Sequence, residues 1–318
     1  MLTYMIQIEN LVKLYGEKSA LEGISFNVGE GEIVGFLGPN GAGKSTTMNI
    51  LTGYLSATAG TVKVGGIDVF EFPDEAKKKI GFLPEQPPVY NDMKVSEYLN
   101  FVYEIKKCKL NRRKHLAEIM QVTKIHDVSD RIIGNLSKGY RQRVGIAQAL
   151  VGNPPVIIFD EPTVGLDPKQ IIEIRSLIKT LGKHHTVILS SHILSEIEAV
   201  CDRVIIINKG ELVADDSAEN LSAQFSDDHR LLVRIAGPAK ESTALVKGIG
   251  GVISVTDAGS KEVGTVDLLV ETAPNADIRR DLFERLAQRG WPLLYSKTQA
   301  MSLEDIFIDL TQKKGGAR

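Results

Sequence analysis

The sequence predicts two units in tandem. The larger N-terminal unit is an α/β fold on a largely parallel sheet, and the smaller C-terminal unit is α+β and ferredoxin-like. Three observations predict them. The runs VIIF at 156–159, TVIL at 186–189 and RVIIIN at 203–208 are almost unbroken apolar stretches, as strands buried on both faces are. A glycine-rich segment at 38–43 joins a strand-like run to a helix-like one. After residue 230 the order becomes strand, helix, strand, strand, helix, strand.

The elements follow in order. Residues 4–36 alternate apolar and polar (YMIQIE, ISFNV, EIVGFLG) between glycine-containing turns, which predicts strands. A helix follows the glycines at 41 and 43 and stops at Gly53. Residues 61–70 fit a hairpin around Gly65 and Gly66. Val95, Tyr98, Leu99, Phe101, Val102 and Ile105 keep helical spacing. Further helices fit 112–125 and 139–151, the latter closed by Gly152, Asn153 and Pro154, so a helical subdomain is expected at about 91–152 of a domain covering 1–222. The polar stretch AQFSDDH at 223–229 reads as a linker. Beyond it come a strand at LLVRI, a helix at 238–247, strands at 252–256 and 265–271, a helix at 274–289 and a strand near 293–297. A last helix is expected from Ser302, with Leu303, Ile306, Phe307 and Leu310 on one face. The C-terminal domain thus covers 230–313, and 314–318 read as a disordered tail.

Composition narrows the function classes. With 318 residues, 43% apolar and 25% charged, the chain has the material for two packed cores, which excludes a disordered or low-complexity protein. A net charge of −2 gives no electrostatic reason to expect nucleic acid as a partner. Cys108 and Cys201 lie far apart with no CxxC spacing, as in a reducing compartment. The N-terminus has no signal-peptide pattern, and no apolar run approaches bilayer-spanning length. Any membrane role therefore calls for a separate chain.

The segment GPNGAGKST at 38–46 fits G-x-x-x-x-G-K-[ST] between a strand and a helix, the context that makes it a phosphate-binding loop. Gly38, Pro39, Asn40, Gly41, Ala42, Gly43, Lys44, Ser45 and Thr46 form a cradle whose backbone N–H groups and helix N-terminus face phosphate oxygens. Lys44 adds a point charge, and the Ser45 hydroxyl suits Mg²⁺, which prefers hard oxygen ligands. The larger unit is therefore expected to be a P-loop NTPase that takes a nucleotide with Mg²⁺.

Other polar residues stand at strand ends. Asp160 and Glu161 follow VIIF, on the sheet edge that carries the phosphate loop, where Asp160 can reach Mg²⁺ and Glu161 can orient a water and take its proton. His192 closes TVILSSH and can reach a γ-phosphate or hold Glu161. Gln86 in GFLPEQPP can sense the metal or the water. Tyr15 either stacks on a base or faces the core. Finally, LSKGYRQR at 136–143 starts a helix with Ser137 as its cap and Gly139 open to close approach, and it carries Lys138, Arg141 and Arg143 but no acid. That start suits a phosphate, held either beside the same chain's loop or in another subunit.

Taken together, GPNGAGKST, Gln86, LSKGYRQR, VIIFDEP, VGLD at 164–167 and SSH at 190–192 resemble an ABC-type ATPase domain over residues 5 to about 221. The stretches GFLGPNGAGKSTTMNILTGYL and GFLPEQPPVYNDM most resemble ATP-binding subunits of bacterial exporters, of the gliding-motility-associated and multidrug or antibiotic groups. The resemblance implies a mixed sheet with a helical subdomain, ATP and Mg²⁺ as cofactors, and a head-to-tail pair of ATPase subunits, of one kind or two. It implies adenine stacking by Tyr15, metal contacts by Ser45, Gln86 and Asp160, catalysis by Glu161, and γ-phosphate contact by His192. It places Ser137 and Gly139 on the partner's ATP and Asp167 at the seam. It also implies a separate membrane-embedded permease and a cytoplasmic protein on the inner face of the plasma membrane. Lys138 and Tyr140 replace the commoner Gly and Gln of the LSGGQ form. The alternative is a soluble ABC ATPase acting on ribosomes or DNA, against which stand a single motif set and no heptad tract. The C-terminal unit resembles accessory domains of such subunits.

Overall fold

The computed structural model of the chain describes residues 4–225, 230–273 and 276–298, together with Phe307. It divides into two compact units, Met1–Ser217 and Ala218–Arg318.

The first unit opens with β1 (Tyr4–Tyr15) and β2 (Lys18–Gly29), which pair antiparallel. Then come β3 (Ile33–Leu37), α1 (Lys44–Leu51), β4 (Ala59–Val64) and β5 (Ile67–Asp68). The turn between β4 and β5 needs Gly65 and Gly66, at φ 55° and 78°. Next are α2 (Pro73–Lys78), β6 (Ile80–Leu83), α3 (Val95–Ile105), α4 (Arg112–Val122) and α5 (Lys138–Leu150). The unit closes with β7 (Val156–Asp160), α6 (Pro168–Gly182), β8 (Thr186–Ser191), α7 (Leu194–Glu198), β9 (Arg203–Asn208) and β10 (Glu211–Asp216).

Two sheets result. One runs β2-β1-β4-β5 and is antiparallel. The other runs β10-β9-β3-β8-β7-β6, parallel except for β10, so the sheet is mixed. Every residue of β3, β7 and β8 is buried, which explains their continuous apolar sequence. Ile6, Leu21 and Phe26 of the first sheet share a core with Val34, Phe36, Ile158 and Ile188 of the second and with Met48 and Leu51 of α1. The parallel order places the C-terminal ends of β3, β7 and β8 side by side, and there the functional residues gather.

The helices α3, α4 and α5 form the helical subdomain. Tyr98 of α3 donates from its hydroxyl to Pro88 O at 3.0 Å and to Gln148 Oε1 of α5.

The expected linker at 223–229 begins in helix: α8 (Ala218–Phe225) stands at the start of the second unit, and 226–229 lie outside the described residues. The second unit continues with β11 (Arg230–Ile235), α9 (Ala239–Lys247), β12 (Val252–Asp257), β13 (Val266–Thr272), α10 (Arg279–Gln288) and β14 (Leu293–Thr298). Its antiparallel sheet runs β12-β13-β11-β14, the ferredoxin-like arrangement. Val233, Leu268, Val246 and Leu282 are among its core residues. The helix expected from Ser302, Phe307 apart, and the tail at 314–318 lie outside the described residues.

Candidate functional site

The loop after β3 is shaped by what its glycines must avoid. A Cβ on Gly38 would lie 2.4 Å from Ile207 O of β9, so a side chain there would force β3 and β9 apart. Gly43 caps α1 at φ 112°, where a Cβ would meet Leu21 Cδ2 at 2.7 Å and Ala20 O at 2.9 Å. The loop is pinned at Ala42, whose N–H donates to Pro39 O at 3.1 Å and whose carbonyl accepts from Gly210 N at 2.9 Å. No side chain caps α1 and no acid stands in its first turn, so the helix offers N–H groups and positive potential to an anion.

Lys44 is 6% exposed and folds back over the loop. Its ammonium donates to Gly38 O at 2.8 Å and to Pro39 O at 3.4 Å, and lies 3.6 Å from Glu161 Oε1.

Register brings the carboxylates to the same place. Asp160 is the last residue of β7 and pairs with Ser190 of β8, whose hydroxyl donates to Asp160 Oδ1. Glu161 follows in a left-handed backbone, φ 50°, fixed by its N–H donating to Ser190 O at 3.1 Å. That turn leaves the Glu161 side chain buried at 7% exposure, between Lys44 and His192. His192 Nδ1 lies 2.9 Å and 3.0 Å from the two Glu161 carboxylate oxygens. His192 is thus within hydrogen-bond distance of Glu161.

These groups line a cavity of about 650 Å³. Of the residues named from sequence, Tyr15, Asn40, Gly41, Gly43, Lys44, Ser45, Thr46, Glu161 and His192 stand in its wall. Gly38, Pro39 and Ala42 shape the loop behind it, and Asp160, outside the wall, is linked through Ser190 to Glu161. Tyr15, at 51% exposure, faces the cavity rather than the core, and the Lys13 ammonium lies 5.2 Å from its ring centroid. Gln86 is exposed and outside the wall, where its neighbour Glu85 stands instead. Val164 of the VGLD motif also lines it, as do Lys18, Ser19 and Ala20, which were not singled out from sequence. Lys18 and Ser19 directly follow the Tyr15 turn, and that adjacency was the available signal.

Ser137 and Gly139 are not in this wall. Ser137 caps α5, accepting from Tyr140 N at 3.4 Å. A Cβ on Gly139 would lie 2.6 Å from Gln170 Cδ of α6, and one on Gly165 would lie 2.1 Å from Lys138 Nζ. Asp167 caps α6 by accepting from Gln170 N at 2.9 Å. Arg143, part of the basic segment, donates from Nη2 to Glu173 Oε2 at 2.6 Å and so ties α5 to α6. The start of α5 and the VGLD turn form one block, with Ser137 exposed on it.

Comparison with known proteins is consistent throughout. The family model described as ABC transporter matches residues 21–164. The linearmycin resistance ATP-binding protein LnrL of Bacillus subtilis is 31% identical over 313 residues, covering 96% of this chain and 98% of that protein. The bacitracin transport ATP-binding protein BcrA of Bacillus licheniformis is 35% identical, over 72% of this chain and 78% of that protein. Among solved structures, a dimeric ATP-binding cassette in a post-hydrolysis state with ADP and phosphate superposes with a TM-score of 0.61 at 30% identity, over 67% of this chain and 98% of that one.

Proposed function

The chain belongs to the ABC transporter family, as an ATP-binding, ATP-hydrolysing subunit, and from that premise we propose how its residues divide the work. Tyr15 stacks on the adenine, and the 38–46 loop with Lys44 holds the phosphates. Glu161 is the general base, kept in place by His192. One observation carries this reading: the buried Glu161 carboxylate stands between the loop's ammonium and an imidazole, in the wall of the cavity that the loop lines. Phosphoryl transfer needs positioning and charge neutralisation more than covalent help.

The donor set fits Mg²⁺. The Ser45 hydroxyl and the Asp160 carboxylate are hard oxygens on adjoining elements, and a metal that keeps most of its waters and phosphates needs no more from the protein. Bound there, Mg²⁺ would neutralise charge on the β- and γ-phosphates.

Ser137 and Gly139 serve a second subunit's ATP, head to tail, which is why they stand apart from their own chain's cavity. ATP closes the pair and hydrolysis releases it, and the free-energy difference between the two forms does the mechanical work. Among the described residues no helix is long and apolar enough to cross a membrane, so a separate permease receives that work at the membrane's inner face. The stretch between Gln86 and Ser137 is our docking surface, and the exposed Tyr90, Phe101 and Ile105 supply apolar area on it. Within the family we place the chain among the exporters, close to the multidrug and antibiotic groups. The names of LnrL and BcrA, for linearmycin resistance and bacitracin transport, support that side more than gliding motility. For the second unit we infer a regulatory or dimer-stabilising part. Unchanged turnover, dimerisation and transport after deletion of 230–318 would remove it.

Glu161→Gln tests the core of this reading. Phosphate release is expected to fall about 10²- to 10⁴-fold while ATP binding persists and the ATP-loaded pair accumulates in size-exclusion chromatography. Wild-type release by that variant would reject Glu161 as base. Co-purification with ribosomes or DNA instead of a membrane protein would favour the soluble alternative.

A further inference from the structure

Glu196 is a buried acid that the reading above does not use. It lies on α7, four residues beyond His192, and is 2% exposed. No cation pairs with it among the described residues. Both of its hydrogen bonds end on one oxygen: Thr163 Oγ1 donates to Oε2 at 2.5 Å, and Ser191 Oγ donates to it at 3.0 Å. Thr163 stands two residues after Glu161, and Ser191 immediately precedes His192. Ser191 Oγ also accepts from Ile193 N at 3.0 Å, so the backbone is held on both sides of His192. Glu161 and His192 arrive from different strands, yet their carboxylate and imidazole meet at 2.9 Å. A carboxyl group buried without a cation is costly where an apolar side chain could pack instead. What this one does is join the two segments that carry the reacting groups.

We propose that Glu196 is a positioning residue for ATP hydrolysis. By holding Thr163 and Ser191 on one oxygen it fixes the spacing of Glu161 and His192. This rests on the reading of Glu161 as the base. Steady-state hydrolysis and equilibrium ATP binding by the full-length chain test it. Glu196→Ala is expected to lower kcat about tenfold to hundredfold, the scale of a small misplacement at the chemistry, with KM and Kd for ATP within about twofold of wild type. Glu196→Gln keeps an acceptor oxygen and is expected to recover most of the rate. If Glu196→Ala does not fold, Thr163→Val combined with Ser191→Ala removes both donors and is expected to show the same split between kcat and KM. A kcat within about twofold of wild type in folded Glu196→Ala, or in that double variant, overturns the proposal. Glu161→Gln measured alongside separates the two readings. If Glu161→Gln turns over normally, the base assignment fails. If it is inactive while the Glu196 variants are unimpaired, only the positioning role falls.

Discussion

At the level of single residues, backbone conformation and crowding limit what the phosphate loop tolerates. Gly43 combines a φ of 112° with two neighbours under 3 Å from any added Cβ. Gly43→Ala is therefore expected to destabilise the fold by about 1–3 kcal/mol and to weaken ATP binding, read from a denaturant midpoint and an equilibrium titration. An unchanged affinity would show that the cradle needs no glycine there. The loop, Asp160 and Glu161 were legible in the sequence because each follows a strand that announces itself. The sequence pointed to Gln86, whereas its neighbour Glu85 stands in the cavity wall, since a loop without periodicity does not say which of two adjacent side chains faces the cavity. The contacts of Ser190 with Asp160 and of Glu196 with Thr163 join segments distant in the chain, and no local pattern marks such pairings.

Individual elements depend on how their ends are closed. The C-terminus of α5 is closed by other helices. Lys106, at the end of α3, donates to Gln148 O, Ala149 O and Val151 O at 3.2, 3.3 and 2.9 Å, and burial pulls its ammonium down to about 8. From α4, His115 Nε2 accepts from Gly152 N at 3.0 Å, and in the same turn Pro154 O accepts from His185 Nδ1 at 2.8 Å. Burial holds both imidazoles below their usual range. As pH falls through about 6.5, the unfolded chain takes up protons on these histidines before the folded chain does, so stability declines with acidification. His115→Gln with His185→Asn keeps an acceptor and a donor in place without titrating. The urea midpoint of wild type is expected to drop more between pH 7.5 and pH 5.5 than that of the double variant; parallel declines would exclude these two groups as the cause. Long periodic helices such as α3 and fully buried strands such as β7 were legible. The short α2 and α7 and the edge strand β10 were not, because five or six residues are too few for a period to stand out.

For the whole molecule, Ser137 stands outside its own chain's cavity, and the proposed pairing makes hydrolysis a property of two chains. In the head-to-tail pair proposed above, each site takes one chain's Lys44 and another's Ser137. Lys44→Ala and Ser137→Arg are each expected to abolish hydrolysis alone. Mixed, they form some pairs with one intact site, so activity reappears, up to about a quarter of the wild-type rate if pairing is random and the sites act independently. Failure of mixtures to recover any activity would count against a shared site. Lys44 adds a consequence of its own. Its ammonium already rests on the carbonyls of Gly38 and Pro39. A triphosphate arriving there swaps one oxygen shell for another instead of rescuing a stranded charge. Affinity at that point is therefore a difference between two solvations, and a change that only weakens the grip of those carbonyls would make the protein hold ATP more tightly.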